Sequence, residues 1–142
     1  MSIIFQHLAT TPAPRPSATH PLVLNNVAVN ALPLNPPLYL QVAIDSVAPL
    51  FRLRSQRGAA GGGVALQIPL PLGLRQRRRT AVMWMLDQVD KKKGGTSPFP
   101  KRFAEEVVAV VEGRSSVWER RTALHGLTIR SRVNIASTQR RR

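Results

Sequence analysis

Leu72-Gly73-Leu74-Arg75-Gln76-Arg77-Arg78-Arg79-Thr80-Ala81-Val82-Met83-Trp84-Met85-Leu86-Asp87-Gln88-Val89-Asp90-Lys91-Lys92-Lys93 is the stretch whose reading decides the fold. No proline or glycine lies between Leu74 and Lys93. The stretch therefore predicts one helix of about 18–20 residues, about 27–30 Å long. Arg75, Arg77, Arg78 and Arg79 fall in its first turns. A helix N-terminus already bears about half a positive charge, so each cation there costs roughly 0.3–1 kcal/mol at low salt. The four arginines also repel one another. An external polyanion that binds the arginines and the exposed N–H groups together offsets both costs. The alternative is a solvated basic turn that tolerates a small penalty.

Upstream of this helix two runs alternate with period two. Phe51 and Leu53 alternate with Arg52, Arg54 and Gln56, and Val64, Leu66 and Ile68 alternate with Ala65 and Gln67. Between them lies Arg57-Gly58-Ala59-Ala60-Gly61-Gly62-Gly63. This pattern predicts a β-hairpin near residues 50–69, with one apolar face and one face carrying Arg52 and Arg54. A basic two-stranded arm with a bare glycine tip can lie in a nucleic-acid groove, because glycine lets backbone approach a sugar-phosphate chain. The glycine-rich loop is not a Walker loop, since no Lys-Ser/Thr pair follows it.

Further back, Asn35-Pro36-Pro37 opens a helix, with Asn35 as cap and proline in the first turn. Leu38, Val42 and Asp45 occupy one side, Leu40, Ile44 and Val47 another, and Pro49 ends the run. Residues 9–37 hold seven of the twelve prolines and one formal charge. They predict an extended linker without regular structure, laid on a surface by Val23, Leu24, Val27, Leu32 and Leu34. Residues 1–8 suggest the tail of a helix, with Ile3, Ile4 and His7 on one face, which needs a surface to dock on.

Downstream, Gly94-Gly95 breaks the chain and Ser97 offers a cap. A helix then follows with Phe103, Val107 and Val110 on one face and Ala104, Val108 and Val111 beside them. Glu105 and Glu106 are expected to point away, and Gly113 to stop the helix. Ser116-Val117-Trp118-Glu119 reads as a capping box opening a helix to about Val133. Trp118, Leu124 and Leu127 are its core candidates, and Arg120, Arg121, Arg130 and Arg132 give it a basic side. His125 reads as a partly buried polar residue. Residues 136–142 form a basic tail, expected to be disordered until it meets phosphate.

Charge narrows the function classes. The 142 residues carry 21 Lys+Arg against 7 Asp+Glu, a formal charge of +14. Residues 1–51 hold only Arg15 and Asp45, so the whole excess lies beyond them. A nucleic-acid or anionic-surface partner follows from such an imbalance. The absence of cysteine excludes disulfides and Cys-ligated zinc. His7, His20 and His125 lack helical ligand spacing, so no metal or other cofactor is expected. No apolar run approaches the roughly 20 residues that span a bilayer, and no transit peptide is visible.

The order of elements resembles the small-subunit ribosomal protein S seven family, with wording similar to its fungal mitochondrial branch. Four passages carry the resemblance. The first is Val47-Ala48-Pro49-Leu50-Phe51-Arg52-Leu53-Arg54-Ser55-Gln56-Arg57, and the second is Leu66-Gln67-Ile68-Pro69. The third is Arg77-Arg78-Arg79 before an apolar helix with Trp84 (one residue early against the family pattern). The fourth runs from Arg120-Arg121 through Leu124-His125 to Ser131-Arg132. The resemblance covers about residues 35–135. It implies a mainly α helical-bundle domain, residues 38–135, with one protruding β-hairpin that binds rRNA of the small-subunit head. Arg77, Arg78 and Arg79 would bind phosphate, with Arg75 beside them. Arg52, Arg54 and Arg57 would sit on the hairpin. Arg120, Arg121 and Arg132 would add RNA contacts, and Arg130, on the same basic side of that helix, is a candidate with them. The implied partners are small-subunit rRNA, neighbouring small-subunit ribosomal proteins, and exit-site tRNA and messenger RNA near the hairpin, without a membrane. The implied location is the mitochondrial ribosome. Against the family pattern, Met1 falls within the second helix, an N-terminally shortened form, and residues 9–37 replace a short loop.

The rival reading is a non-ribosomal DNA- or RNA-binding architectural protein that uses the basic β-arm. An enzyme is disfavoured, because the seven acids are scattered and no His–carboxylate or metal spacing appears. A membrane-surface segment is disfavoured because the arginines cluster at helix starts and on a hairpin rather than along one amphipathic face.

Overall fold

The computed structural model describes residues 2–24, 26–57, 65–92 and 94–139. The glycine tip of the hairpin, Lys93 and Arg140–Arg142 lie outside the described residues, and the expectations that fall on them stay with the sequence. Helix α1 (Ile3–Thr10), a 3-10 turn (Val29–Leu34), helix α2 (Pro36–Val47), strands β1 (Phe51–Gln56) and β2 (Leu66–Pro71), and helices α3 (Leu74–Lys91), α4 (Phe99–Val111), α5 (Val117–Ser131) and α6 (Val133–Gln139) follow in chain order. The class is the expected one, mainly α with one two-stranded antiparallel hairpin.

The core forms where α1, α2, α3 and α4 meet. On α3 the buried stripe is Ala81, Trp84, Met85 and Val89, spaced by three and four residues as one helical face requires. On α4 it is broader: Phe103, Ala104, Val107, Val110 and Val111 are all buried, so packing holds a valine-rich helix of low intrinsic propensity. On α2 the stripe is Tyr39, Val42, Ala43, Ser46 and Val47, while Leu38, Leu40 and Ile44 pack at its margin. Asn35 caps α2 as expected, its Oδ1 accepting from the Leu38 N–H at 3.3 Å.

Two short segments close the core. In α1, Ser2 caps and Leu8 is fully buried, whereas Ile3, expected inward, is largely exposed. Burying Leu8 contributes about 1.5–3 kcal/mol, which holds a helix too short to form alone. The proline-rich linker lies on the surface, and it is less irregular than its composition suggests. Leu32 is buried within the 3-10 turn, and Leu22, Leu24, Val27 and Val29 pack against the core. Val23 and Leu34, expected to pack, face solvent. Val23 is held by its backbone instead: its N–H donates to Ser46 Oγ at 3.0 Å.

Further corrections concern α4 and α5. Glu106 does not point away from the protein; it is 1% exposed. Lys92 Nζ reaches its Oε2 at 2.7 Å, and the Ser115 hydroxyl donates to its Oε1. This network leaves the start of α5 at Val117 but moves the side-chain contact there from Ser116 to Ser115. Ser115 Oγ accepts from the Val117 N–H at 3.2 Å, and Ser116 makes no side-chain cap, so the Ser-x-x-Glu capping box does not form. A buried carboxylate must be hydrogen-bonded, and that demand outweighs a surface cap. Ser97 likewise makes no cap for α4. Leu127, a core candidate, is 48% exposed. Helix α5 breaks at Arg132, and the expected disordered tail begins as α6.

The hairpin register also differs from the expected division into apolar and basic faces. Arg52 pairs with Leu70 and Arg54 with Ile68, so the arginines share a face with the β2 aliphatics. Phe51 and Leu53 lie opposite Pro71 and Pro69. The prolines set this register. Leu72 N–H donates to Leu50 O at 3.0 Å, which makes 50/72 a hydrogen-bonding position. Alternation then puts Pro69 and Pro71 at non-bonding positions, where a missing N–H costs nothing.

Gly113 joins the linker to this framework. It ends α4 with φ +75°, and a Cβ there would stand 2.6 Å from Ser17 Cβ and 3.1 Å from His20. His20 in turn stacks on Trp118, centroids 4.7 Å apart. Gly113→Ala is therefore expected to lower stability by about 1–3 kcal/mol. Urea denaturation should show a lower midpoint with an unchanged slope.

Candidate nucleic-acid interface

The basic N-terminal turns of α3 sit at the base of the hairpin, and the structure divides their arginines. Arg78 turns inward to α2. Its Nε and Nη2 grip Asp45 Oδ1 and Oδ2 at 2.6 and 2.8 Å, a bidentate pair. These hydrogen bonds and the Asp45 charge raise the Arg78 pKa still further. Arg77 Nε donates to Pro49 O at 3.2 Å, just before β1. Arg75 and Arg79 face outward and have no hydrogen bond or ion pair among the described residues. The cost of four cations at one helix start is thus partly met inside the protein, by one carboxylate and one carbonyl.

Helix α5 divides its arginines in a similar way. Arg120 Nη1 bonds Asp87 Oδ2 at 2.9 Å, and its guanidinium carbon lies 5.3 Å from the Trp84 ring centroid. An exposed pair of this kind contributes about 0.2–1 kcal/mol. Arg121 is half-buried over Trp118, at 5.9 Å, and its Nε has no partner among the described residues. Burial and then the Arg77 charge lower its pKa. Arg130 and Arg132 are exposed near the junction of α5 and α6, where Asn134 Nδ2 donates to Gln67 O of β2 at 2.8 Å. On the hairpin, Arg52, Arg54 and Arg57 are all exposed.

Of the eleven arginines expected at the interface, Arg52, Arg54, Arg57, Arg75, Arg79, Arg130 and Arg132 point to solvent without an ion pair among the described residues. Arg77, Arg78, Arg120 and Arg121 are tied into the fold. Arg77 and Arg121 both act on His125 near the hairpin base, whereas Arg130 and Arg132 are exposed at the end of α5. The result is a basic surface on α3, the hairpin and the end of α5, held on a framework of internal ion pairs. Among the described residues there is no cluster of three side chains able to hold a metal, and no helix long and apolar enough to cross a membrane.

Sequence reasoning missed two framework residues. Asp45 is the one acid in the first 51 positions, which was the available signal for an arginine partner. His125 is the partly buried polar residue that its position suggests, but its task is specific. Its Nε2 accepts from the Leu50 N–H at 3.1 Å and so latches β1 to α5. Burial, then the charges of Arg121 and Arg77, hold its pKa below the usual 6.5.

The latch needs a neutral imidazole nitrogen. With the folded pKa depressed, the unfolded chain binds the proton more readily, so stability falls as pH drops through about 6.5 toward the folded value. His125→Gln keeps an acceptor for Leu50 but cannot titrate. Denaturation midpoints between pH 7.5 and 5 should therefore fall less steeply for His125→Gln than for the unmodified chain.

Comparison with known proteins finds one matching family model and several similar chains. A family model described as ribosomal protein S7p/S5e matches residues 23–132. Small ribosomal subunit protein uS7m of Neurospora crassa is 49% identical over 140 residues, which is 96% of this chain and 45% of that protein. Small ribosomal subunit protein uS7 of Stenotrophomonas maltophilia is 29% identical over 100 residues, 70% of this chain and 57% of that protein. The uS7 of Francisella philomiragia is 30% identical over 83 residues, 58% of this chain and 50% of its own length. The chain spans about half the length of the curated relatives it matches.

Proposed function

The chain belongs to the ribosomal protein S7p/S5e family, and from that premise we propose that it is a structural constituent of the small ribosomal subunit that binds rRNA of the subunit head. The observation that carries the reading is the set of outward arginines on adjoining elements: Arg75 and Arg79 on α3, and Arg52, Arg54 and Arg57 on the hairpin. Their spacing on a rigid frame suits closely packed phosphates of a folded RNA, read by shape rather than by base edges. Arg130 and Arg132 extend the surface at the end of α5. The role is structural, not catalytic.

The partners are small-subunit rRNA and neighbouring small-subunit ribosomal proteins, with exit-site tRNA and messenger RNA near the hairpin. The name of the Neurospora crassa relative, small ribosomal subunit protein uS7m, supports placing this chain in the mitochondrial ribosome. Its formal charge of +14 supports a polyanionic partner of either nucleic-acid type. The rival DNA-binding reading differs in preferring a duplex.

Salt-dependent filter binding separates the two. The full chain should prefer a small-subunit rRNA head fragment over duplex DNA of equal charge, and keep that preference near physiological salt. Arg75→Ala and Arg79→Ala should each weaken RNA binding and reduce the slope of log K against log salt by roughly 0.7–0.9. Arg78→Ala should act chiefly on stability, since its guanidinium holds Asp45. Equal binding to both ligands that vanishes with salt would leave only a general polyanion surface and defeat the ribosomal reading.

A further inference from the structure

Between β1, α3 and α5 the surface opens into a groove of about 470 Å³. Its floor is apolar: Phe51 and Leu53 from β1, Trp84 from α3 and Leu124 from α5. Arg52 and Arg79 line it as well, one from the strand and one from the helix. Both guanidinium groups are exposed and have no ion pair among the described residues, although the acids Asp45 and Asp87 engage their neighbours Arg78 and Arg120.

This combination does not suit duplex phosphate alone. A phosphate-tracking surface needs cations, and an apolar floor bounded by an aromatic ring and an indole adds nothing to it. The groove is too small for a helix and has the size of a small-molecule site. Aromatic and aliphatic walls with the Arg79 guanidinium beside them match one unstacked nucleotide, whose base has a π-face and whose adjoining phosphates are anionic. The strand wall adds polar recognition. Among the described residues β1 pairs only with β2, and the register turns the N–H and C=O of Phe51 and Leu53 away from that partner. These groups can bond the edge of an inserted base.

We propose that this groove receives a single extruded base of the bound RNA, stacked against Phe51, with Arg79 on an adjoining phosphate. The inference rests on the RNA-binding reading above and adds a base-binding site to its phosphate surface. The groove discriminates against continuous duplex, because a paired base cannot enter it. It thereby fixes the register of the RNA on the protein, which a purely electrostatic surface leaves free to slide.

The test uses the full chain and two hairpin RNAs of identical stem, one with a single-uridine bulge and one without, measured by filter binding over a range of KCl concentrations. The bulged RNA should bind about fivefold to a hundredfold more tightly. Phe51→Leu, which keeps apolar volume but removes the ring, should erase most of that difference without changing the salt slope. Thr80→Phe guards against a folding defect at Phe51, because Thr80 lines the groove from the partly exposed side of α3. It fills the groove and should erase the preference as well, with circular dichroism unchanged. Arg79→Ala should instead reduce the salt slope. Equal binding of both RNAs by the unmodified chain, or a bulge preference that survives Phe51→Leu and Thr80→Phe, overturns the pocket and leaves the phosphate reading standing. Failure to bind either RNA at 50 mM KCl, the low-salt end of about 50 mM, overturns both.

Discussion

The bidentate contact between Arg78 and Asp45 decides how this basic chain presents its charge. It joins the start of α3 to the last turns of α2, across 33 positions of sequence. The geometry is the planar fork of a guanidinium on a carboxylate, which a lysine could not reproduce. Asp45 is nearly covered, so without Arg78 it would be left as a poorly solvated charge. With the pair formed, the helix axis is set, and rotation by one residue carries Arg79 outward while Arg77 reaches the chain before β1. The arginines available to a ligand are therefore chosen by the one that is not available.

The same logic extends to the hairpin. A two-stranded hairpin alone is marginal in water, and this one is held at its base. Arg77 takes the carbonyl of Pro49 and His125 takes the N–H of Leu50, so two adjacent residues are fixed from two different helices. Asn134 holds β2 at Gln67. These contacts explain why Arg77 and Arg121 tolerate each other near His125. Arg77 bonds the Pro49 carbonyl, Arg121 lies over Trp118, and burial with their charges holds the His125 pKa below its usual value.

Much of this fold was legible in the sequence because it depends on local chemistry. The run from Leu74 onward, free of proline and glycine, could only be a long helix. Asn35-Pro36 could cap and open another, and alternation around a glycine-rich loop could only be a hairpin. What stayed hidden depends on partners distant in sequence. Glu106 looked like a surface acid, because nothing nearby shows that Lys92 and Ser115 will meet it inside. Leu127 looked like core, because the break at Arg132 and the docking of α5 on the hairpin are tertiary. The hairpin faces were misassigned because each strand alternates correctly, but only the prolines at 69 and 71 set how the alternations combine. The outward or inward placing of each arginine was hidden for the same reason, since it follows from Asp45, Asp87 and Pro49 rather than from the arginine run.

That dependence has a consequence for how a small core carries so much positive charge. The acids are few, and those paired with arginines hold Arg78 through Asp45, Arg120 through Asp87 and Arg114 through Glu112, none of them in the outward set. Uniform neutralisation would have lowered the self-repulsion of the folded state, but it would also have cancelled the field around α3 and the hairpin. Concentrating the acids on framework arginines does the opposite. It stabilises the geometry where α2, α3 and α5 meet, and it leaves the surface charge undiminished for a polyanion that arrives from outside. A polyanion that binds the folded state and not the unfolded one, as proposed above, would stabilise the chain by mass action. The charge excess and the small core are thus two sides of one arrangement, in which a few internal ion pairs hold the frame and the outward arginines keep their charge.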